Sequence, residues 1–181
     1  MKILEPRRGF TYFASAGMKE VPKRESTKKK LFISYSSEDN EKVEIIIKTL
    51  AYNSLFEPFI VSNTREPNKA LVKKVTEGID SAFCLISVLT SQSIKTQWIN
   101  QEIGYAYCKN IPIIPIIERS ILNDLKGIIH IQNDCPYTFE TISEFGDLEE
   151  NKSFKVCFRN LIQDLEDKQK TITEIQDGEE I

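Results

Sequence analysis

The chain has 181 residues, of which 40% are apolar and 28% charged, and its formal net charge is −3. This is the composition of an ordinary globular domain with a core of its own. No apolar run approaches the roughly 20 residues that cross a bilayer, and Glu5, Pro6, Arg7 and Arg8 interrupt any apolar signal region near the start. We therefore expect a cytoplasmic protein without a membrane partner.

The first predicted segment, residues 1–28, is a basic extension of the domain. Residues 1–30 hold nine Lys or Arg against three Glu, a balance of +6. Such a segment can bind nucleic acid or an acidic membrane surface, but the only aromatic residues near these charges are Phe10, Tyr12 and Phe13. We therefore predict a solvated extension and no nucleic-acid partner.

From residue 29 onward, short apolar runs alternate with segments of helical periodicity. The predicted strands are residues 29–35, 56–62, 83–90, 111–117 and, as a possible fifth, 125–132. The predicted helices are residues 38–53, 70–82, 98–110 and 151–168. Strands that are nearly wholly apolar and alternate with helices indicate parallel βαβ units. We expect an α/β fold, an open sheet of about five parallel strands with helices on both faces, in which Pro115 places the fourth strand near an edge or at a bulge.

Helical spacing predicts which side chains of these helices face the sheet. The inward-facing sets are Val43, Ile46, Ile47 and Leu50; Leu71, Val72, Val75 and Ile79; and Phe154, Phe158, Leu161, Ile162 and Leu165. Ser36 or Ser37 is expected to cap the first helix. Residues 140–181 carry a balance of −7, and we expect residues 169–181 to form an acidic tail, frayed from about Thr171.

Several common kinds of site are excluded by the motifs that the chain lacks. There is no G-x-G-x-x-G and no G-x-x-x-x-G-K-[ST], so neither standard phosphate cradle is present. A phosphorylation receiver would need acidic residues closing the first and third strands, which instead end in "SYSS" and "VLTS". The four cysteines are more than twenty residues apart and His130 is the only histidine, so we expect no metal site and no His-based catalytic apparatus.

In a parallel open sheet the site lies outside the carboxyl ends of the strands. The loops at residues 35–40, 62–69 and 90–97, and the segment after residue 117, are therefore the candidate site loops.

The helix after the third strand carries the most informative pattern. Ile99, Ile103 and Ala106 are spaced to face the sheet, and Trp98, Glu102 and Tyr105 form the adjacent stripe. This spacing predicts Glu102 at the rim of the core, in an exposed helix position. Periodicity alone favours a solvated carboxylate at Glu102 and a tryptophan packed against a loop.

Three segments in order resemble one known family. They are "KKLFISYSSED", "SNTREPN", which contains Arg65-Glu66-Pro67-Asn68, and "VLTSQSIKTQWINQEIGYAYCKNIPIIPII". The first is similar to a family signature of an apolar pair, Ser-Tyr and an acidic loop. The second resembles an Arg-Asp box followed by a Pro-Gly turn, and the third a serine-led loop before Trp-x-x-x-Glu. Together they resemble the TIR (Toll/interleukin-1 receptor) domain family, although the Phe-Trp third box of animal receptors is absent.

The resemblance implies a fold, a domain and a set of site residues. It implies the three-layer, flavodoxin-like TIR fold over residues 29–168. In the NAD-cleaving branch of the family the glutamate of Trp-x-x-x-Glu is catalytic, which matches Glu102, and Trp98 matches the tryptophan. By the same resemblance the substrate-binding residues are Trp98, Tyr35, Ser36, Ser37, Arg65 and Thr90. Family enzymes carry basic residues after the tyrosine where this chain has serines, so Arg65 is either a substitute that holds the diphosphate or a surface residue. Thr90 stands where the family has a serine, and its alternative role is a helix cap.

A single carboxylate suffices for the chemistry that the resemblance implies. Nicotinamide in NAD⁺ is already cationic and leaves without a general acid, so an ionised Glu102 need only stabilise charge on the ribose. We expect NAD⁺ as substrate, no separate cofactor, and ADP-ribose or a cyclic ADP-ribose-type signal as product. The chain resembles the bacterial standalone TIR proteins of Thoeris-type antiphage defence, which implies TIR–TIR association and an effector that reads the nucleotide product. The alternatives are a non-catalytic interaction module and a nucleotide-binding sensor.

Overall fold

The alternating apolar runs build one sheet of five parallel strands. The computed structural model describes residues 28–61, 69–129, 137–140 and 148–178, without the side chains of residues 69, 148–150 and 172–178. The strands are β1 (Lys29–Ser34), β2 (Phe56–Ile60), β3 (Cys84–Leu89), β4 (Ile113–Glu118) and β5 (Tyr137–Phe139). They lie in the order β2-β1-β3-β4-β5, which puts β1 and β3 at the centre. All the strand pairs are parallel.

Helices cover both faces of this sheet, so the predicted fold class is confirmed. The helices are α1 (Asn40–Leu50), α2 (Lys69–Asp80), α3 (Gln97–Cys108) and α4 (Leu148–Gly178). Alternate residues of a strand point to opposite faces. Leu31 and Ile33 of β1 pack with α1 and α4. Phe32, between them, packs with α2 and α3 on the other face.

Two of the inward-facing predictions are wrong, and both concern the flank of a helix. Ile47 on α1 is 45% exposed and Val72 on α2 is 49% exposed. Each lies beside a buried stripe, where the helix turns away from the sheet. The remaining residues of the three predicted sets are buried, except Leu71, which is half-buried against the core.

The fifth strand is not where the sequence predicts it. Residues 128–129 are helical, and Gly127, with a φ of +78°, turns the chain before them. Ile129 is buried on the face that α2 and α3 cover. The edge strand is instead β5, whose pairing with β4 begins at Ile116. The prediction that Pro115 places the fourth strand near an edge is therefore confirmed, because β4 lies next to the edge strand β5. The pairing of β4 with β5 begins at the residue after the proline.

The last helix is longer than predicted. α4 runs from Leu148 to Gly178, so the expectation of a frayed chain from Thr171 is wrong for the backbone up to residue 178. Within the described ranges, no helix is long and apolar enough to cross a membrane. The boundaries at residues 28 and 168 stay predictions, and residues 1–27 lie outside the described residues.

Candidate active site

The candidate site lies at the carboxyl end of the two central strands. After β3 ends at Leu89, a 3₁₀ turn (Ser93–Lys95) leads into α3, which begins at Gln97. Thr96 precedes α3, and its hydroxyl donates to the carbonyl oxygen of Ser93 at 2.7 Å. This tight connection places Trp98 in the first turn of α3 and Glu102 in the next.

Glu102 is buried, which corrects the sequence-based expectation of an exposed helix position. Its side chain is 6% exposed, and its Oε2 accepts a hydrogen bond of 2.5 Å from the hydroxyl of Ser34. Ser34 ends β1 and pairs in register with Ser87 of β3. Helical periodicity gives the direction of a side chain but not how deeply that side chain is buried. The small side chains of the serines beneath α3 leave room for a carboxylate. The serine in the apolar run "LFIS" could have indicated a buried polar partner.

Burial controls the ionisation of this carboxylate. It raises the pKa of Glu102 from 4.5 to about 7, and the hydrogen bond from Ser34 and the nearby indole N–H of Trp98 oppose that rise. The Nε1 of Trp98 is itself buried and within hydrogen-bonding geometry of no described group, so its effect on Glu102 is electrostatic. A carboxyl group with such a pKa is divided between its two ionisation states near neutral pH.

Glu102 and Trp98 open into a groove between α2 and α3. The groove has a volume of about 160 Å³ and is lined by Val72, Val75, Thr76, Ile79, Trp98, Gln101, Glu102 and Tyr105. The predicted stripe of Trp98, Glu102 and Tyr105 is therefore confirmed as a common surface. The groove is largely apolar, and Glu102 is its only carboxylate among the described residues. Such a groove can hold a flat ring against the indole, next to a single negative charge.

None of the three predicted site residues after β1, which are Tyr35, Ser36 and Ser37, lines the groove. Tyr35 is half-buried against the core on the face that α1 and α4 cover, and burial and the charge of Glu102 raise its pKa. The hydroxyls of Ser36 and Ser37 both donate to Glu38, and these bonds lower the pKa of Glu38. Neither serine caps a helix through its side chain as predicted. The structure thus packs Tyr35 on the face opposite the groove, where it still feels the charge of Glu102, and joins Ser36 and Ser37 to Glu38.

Thr90 belongs to a buried polar network that sequence reasoning missed. Its hydroxyl donates to Oδ2 of Asp39 at 2.9 Å and accepts from the backbone N–H of Ser93 at 3.1 Å. Asp39 is 3% exposed, and its Oδ1 pairs with Lys42 Nζ at 3.1 Å. The available signal was an acidic residue a few positions after a strand end. The N-cap of α3 is Thr96 and not Thr90, so the alternative role of Thr90 as a helix cap is not met, and its predicted contact with substrate stays a prediction.

The other predicted site features are only partly open to description. Arg65 and His130 lie outside the described residues, so the roles considered for them stay predictions. In the described part of the chain, no group of three or more His, Cys, Asp or Glu side chains could hold a metal ion.

Comparisons with known proteins show which family the chain belongs to. Residues 31–143 match the family described as TIR domain, and no curated protein matches the chain. The CMP N-glycosidase BcmB of Clostridium botulinum matches with a TM-score of 0.48 and 15% identity, over 71% of this chain and 98% of that one. A conserved protein of Enterococcus faecalis V583 matches with a TM-score of 0.41 and 16% identity, over 58% of this chain and 71% of that one.

A third solved structure, the TIR domains of the activated Roq1 resistosome, matches with a TM-score of 0.44 and 14% identity, over 81% of this chain and 78% of that one. With TM-scores below 0.5, these structural likenesses carry no argument about this chain. The family match covers more than half of the chain, and it agrees with the five-stranded parallel sheet and with the order of the three sequence segments. The chain belongs to the TIR domain family.

Proposed function

We propose that this TIR domain cleaves the bond between nicotinamide and ribose in NAD⁺, with Glu102 as the catalytic carboxylate. The observation that carries the proposal is the position of Glu102, a buried carboxylate in a largely apolar groove at the carboxyl end of the central strands. Burying a carboxylate is costly, and the groups that proteins bury at such expense cluster at functional sites.

The groove supplies what the reaction needs from the protein. As the N-glycosidic bond breaks, positive charge moves from the nicotinamide ring to the ribose, and the neutral base leaves with the bonding electrons. An ionised Glu102 stabilises the ribosyl cation, and the low polarity around it strengthens this interaction. Trp98 offers its face to the cationic ring, which is worth about 0.5–2 kcal/mol.

The ribosyl cation is then captured by a nucleophile. Water adds to the anomeric carbon and loses a proton to give ADP-ribose. When an adenine nitrogen of the same molecule bonds to the anomeric carbon instead and a proton is lost, the product is cyclic ADP-ribose, which contains one water fewer than ADP-ribose. Diphosphate binding by Arg65 and substrate contacts of Tyr35, Ser36, Ser37 and Thr90 stay predictions. A cytoplasmic role in antiphage defence, with self-association of TIR domains and a nucleotide signal to an effector, is part of the same proposal.

The test is to incubate the purified, concentrated protein with NAD⁺ and, in parallel, with CMP, and to identify the products by mass spectrometry. We expect nicotinamide with ADP-ribose or with cyclic ADP-ribose, which is lighter by one water, and no nicotinamide from Glu102→Gln. Glu118→Gln is the matched control. Glu118 is also buried, 5% exposed, but its Oε2 accepts the backbone N–H of Ser91 at 2.9 Å and it lines no part of the groove.

Each outcome has a definite meaning. Equal nicotinamide release by the wild type and Glu102→Gln would end the assignment of Glu102. Release of cytosine from CMP with intact NAD⁺ would replace the substrate but keep the site. Intact NAD⁺ and CMP, together with concentration-dependent association in analytical ultracentrifugation, would favour the non-catalytic interaction module.

A further inference from the structure

A side-chain hydrogen bond joins the candidate catalytic residue to the central strand of the sheet. Ser34 and Glu102 are 68 positions apart in the chain, and the 2.5 Å bond between their side chains is buried. Ser34 is the last residue of β1, which is held between β2 on one side and β3 on the other. The donor therefore sits on one of the most constrained backbone segments of the fold, whereas Glu102 has the rotamer freedom of a long side chain.

We propose that Ser34 is a positioning residue for Glu102, which fixes the carboxylate in the groove by holding Oε2 and directs Oε1 to the substrate. The inference rests on the proposed function and adds to it a residue that does not itself touch NAD⁺. A carboxylate on a flexible side chain would otherwise sample several orientations. A bond to a rigid strand selects one of them before the substrate arrives, which is the preorganisation that electrostatic catalysis requires.

The bond also favours the charged form of Glu102. A hydroxyl that donates to a carboxylate stabilises the ionised state, and Ser34 is the larger of the two contacts that lower the pKa of Glu102 against the effect of burial. The described titratable groups near the carboxylate are Tyr35, from the end of β1, and Tyr105, from α3. Burial and the charge of Glu102 raise the pKa of Tyr35. The residues that α2 contributes to the groove, Val72, Val75, Thr76 and Ile79, do not titrate.

The neighbouring strand provides a matched control in Ser87. It is the register partner of Ser34, and both serines are at most 1% exposed. Ser34 lies two residues after Phe32 and Ser87 two residues after Leu85, so both point to the face that α2 and α3 cover. The hydroxyl of Ser87, however, has no hydrogen-bond partner among the described residues. Replacing each serine by alanine removes the same atom from the same layer of the core, and only one replacement removes the bond to Glu102.

The first experiment needs no catalysis. Trp98 is the only tryptophan of the chain, so its fluorescence reports the ionisation of Glu102 one helical turn away. The emission of the wild type should titrate with a midpoint near the Glu102 pKa of about 7. Glu102→Gln should abolish this transition. Ser34→Ala should raise the midpoint by about one pH unit or more, since a hydrogen bond to a charged group changes an equilibrium about tenfold or more. Ser87→Ala should leave the midpoint at its wild-type value. Ser34→Thr, which keeps a hydroxyl, should have a midpoint close to that of the wild type.

The second experiment measures NAD⁺ cleavage by the same variants. Ser34→Ala should lower kcat about 10- to 100-fold at neutral pH with little change in KM, because the substrate still binds but meets a misoriented, protonated carboxyl group. The pH at which kcat reaches half its maximum should rise together with the fluorescence midpoint. Ser87→Ala should keep the wild-type kcat. If Ser34→Ala does not fold, Ser34→Cys keeps the volume with a weaker donor and gives the same comparison.

The two experiments separate this inference from the proposed function. If the wild type releases no nicotinamide, the proposed function fails, and the fluorescence midpoints still decide whether Ser34 holds Glu102. If the wild type cleaves NAD⁺ while Ser34→Ala matches Ser87→Ala in midpoint and in kcat, the positioning role is overturned and the proposed function stands.

Discussion

The hydroxyl of Thr90 donates a hydrogen bond of 2.9 Å to Oδ2 of Asp39, and this bond ties the chain after β3 to the chain after β1. The two residues are 51 positions apart and both are buried. Asp39 also pairs with Lys42 on α1 at 3.1 Å. This network joins the segments that follow the carboxyl ends of β1 and β3, where Ser34 contacts Glu102. Buried polar contacts therefore support the backbone around the candidate site.

Thr90→Val is expected to destabilise the protein by about 2–3 kcal/mol. Valine has nearly the same shape, but it removes the donor to Asp39 and the acceptor for the N–H of Ser93, and it leaves a buried carboxylate with one partner fewer. Urea unfolding followed by circular dichroism measures the difference in free energy of unfolding.

Thr90→Ser is the control, because it keeps the hydroxyl and loses only a methyl group. The KM of Thr90→Val also tests whether Thr90 contacts the substrate. If the residue belongs to the buried network alone, folded Thr90→Val keeps the wild-type KM for NAD⁺. A KM raised severalfold at unchanged stability would assign Thr90 to the substrate site.

Glu102→Gln is expected to gain stability over the wild type as the pH rises. Burial raises the pKa of Glu102 from 4.5 to about 7, so between these values the folded protein binds more protons than the unfolded chain. The free energy of unfolding of the wild type therefore falls across this pH range, by about 3 kcal/mol for a shift of this size. Glutamine does not ionise, so the free energy of unfolding of Glu102→Gln does not fall for this reason.

The measurement is the difference in unfolding free energy between Glu102→Gln and the wild type, at pH 5 and at pH 8. Other titrating groups contribute equally to both proteins and cancel. The difference should grow by about 2–3 kcal/mol in favour of the variant at the higher pH. A difference that does not change with pH would mean that Glu102 is not buried as described.

The sequence predicted the sheet more completely than the site. The apolar runs of β1, β3 and β4 are long enough to indicate buried strands. β5 has only three residues, and the apolar pair at residues 128 and 129 led to a strand prediction in the wrong place. The helix that carries Trp98 and Glu102, and their common stripe, followed from periodicity. The burial of Glu102 did not follow, because it depends on Ser34, which lies 68 positions away.

Trp98→Phe is expected to preserve the binding of NAD⁺, and Trp98→Leu to weaken it. The indole N–H has no described partner, so phenylalanine loses no hydrogen bond and keeps an aromatic face. Leucine removes the attraction for a cationic ring, which should raise KM between about 2- and 30-fold. Steady-state kinetics at pH 8 measure both. Tyr107→Leu is the control, since Tyr107 lies on the same helix but is 50% exposed and lines no part of the groove. Equal KM values for the two Trp98 variants would remove Trp98 from ring binding.

Two helical glycines that flank the groove are expected to respond to alanine with opposite signs. A Cβ at Gly78 of α2 would lie 2.3 Å from Cε1 of Phe59 and 3.1 Å from Cε2 of Phe32. These two rings are stacked with centroids 5.9 Å apart, so the ring of Phe59 has little room to yield. Overpacking of this kind costs about 1–3 kcal/mol. At Gly104 of α3 a Cβ would meet nothing within 4 Å.

Gly104→Ala should therefore gain up to about 1 kcal/mol from helix propensity alone, while Gly78→Ala should lose stability despite the same gain. Thermal and urea unfolding of both variants give the two signs directly. A stabilising Gly78→Ala would show that α2 packs less closely on β2 than described, and the groove beside Glu102 would then be wider. The same substitution at Gly104 fixes the size of the propensity gain in this protein, so the packing cost at Gly78 is obtained by subtraction.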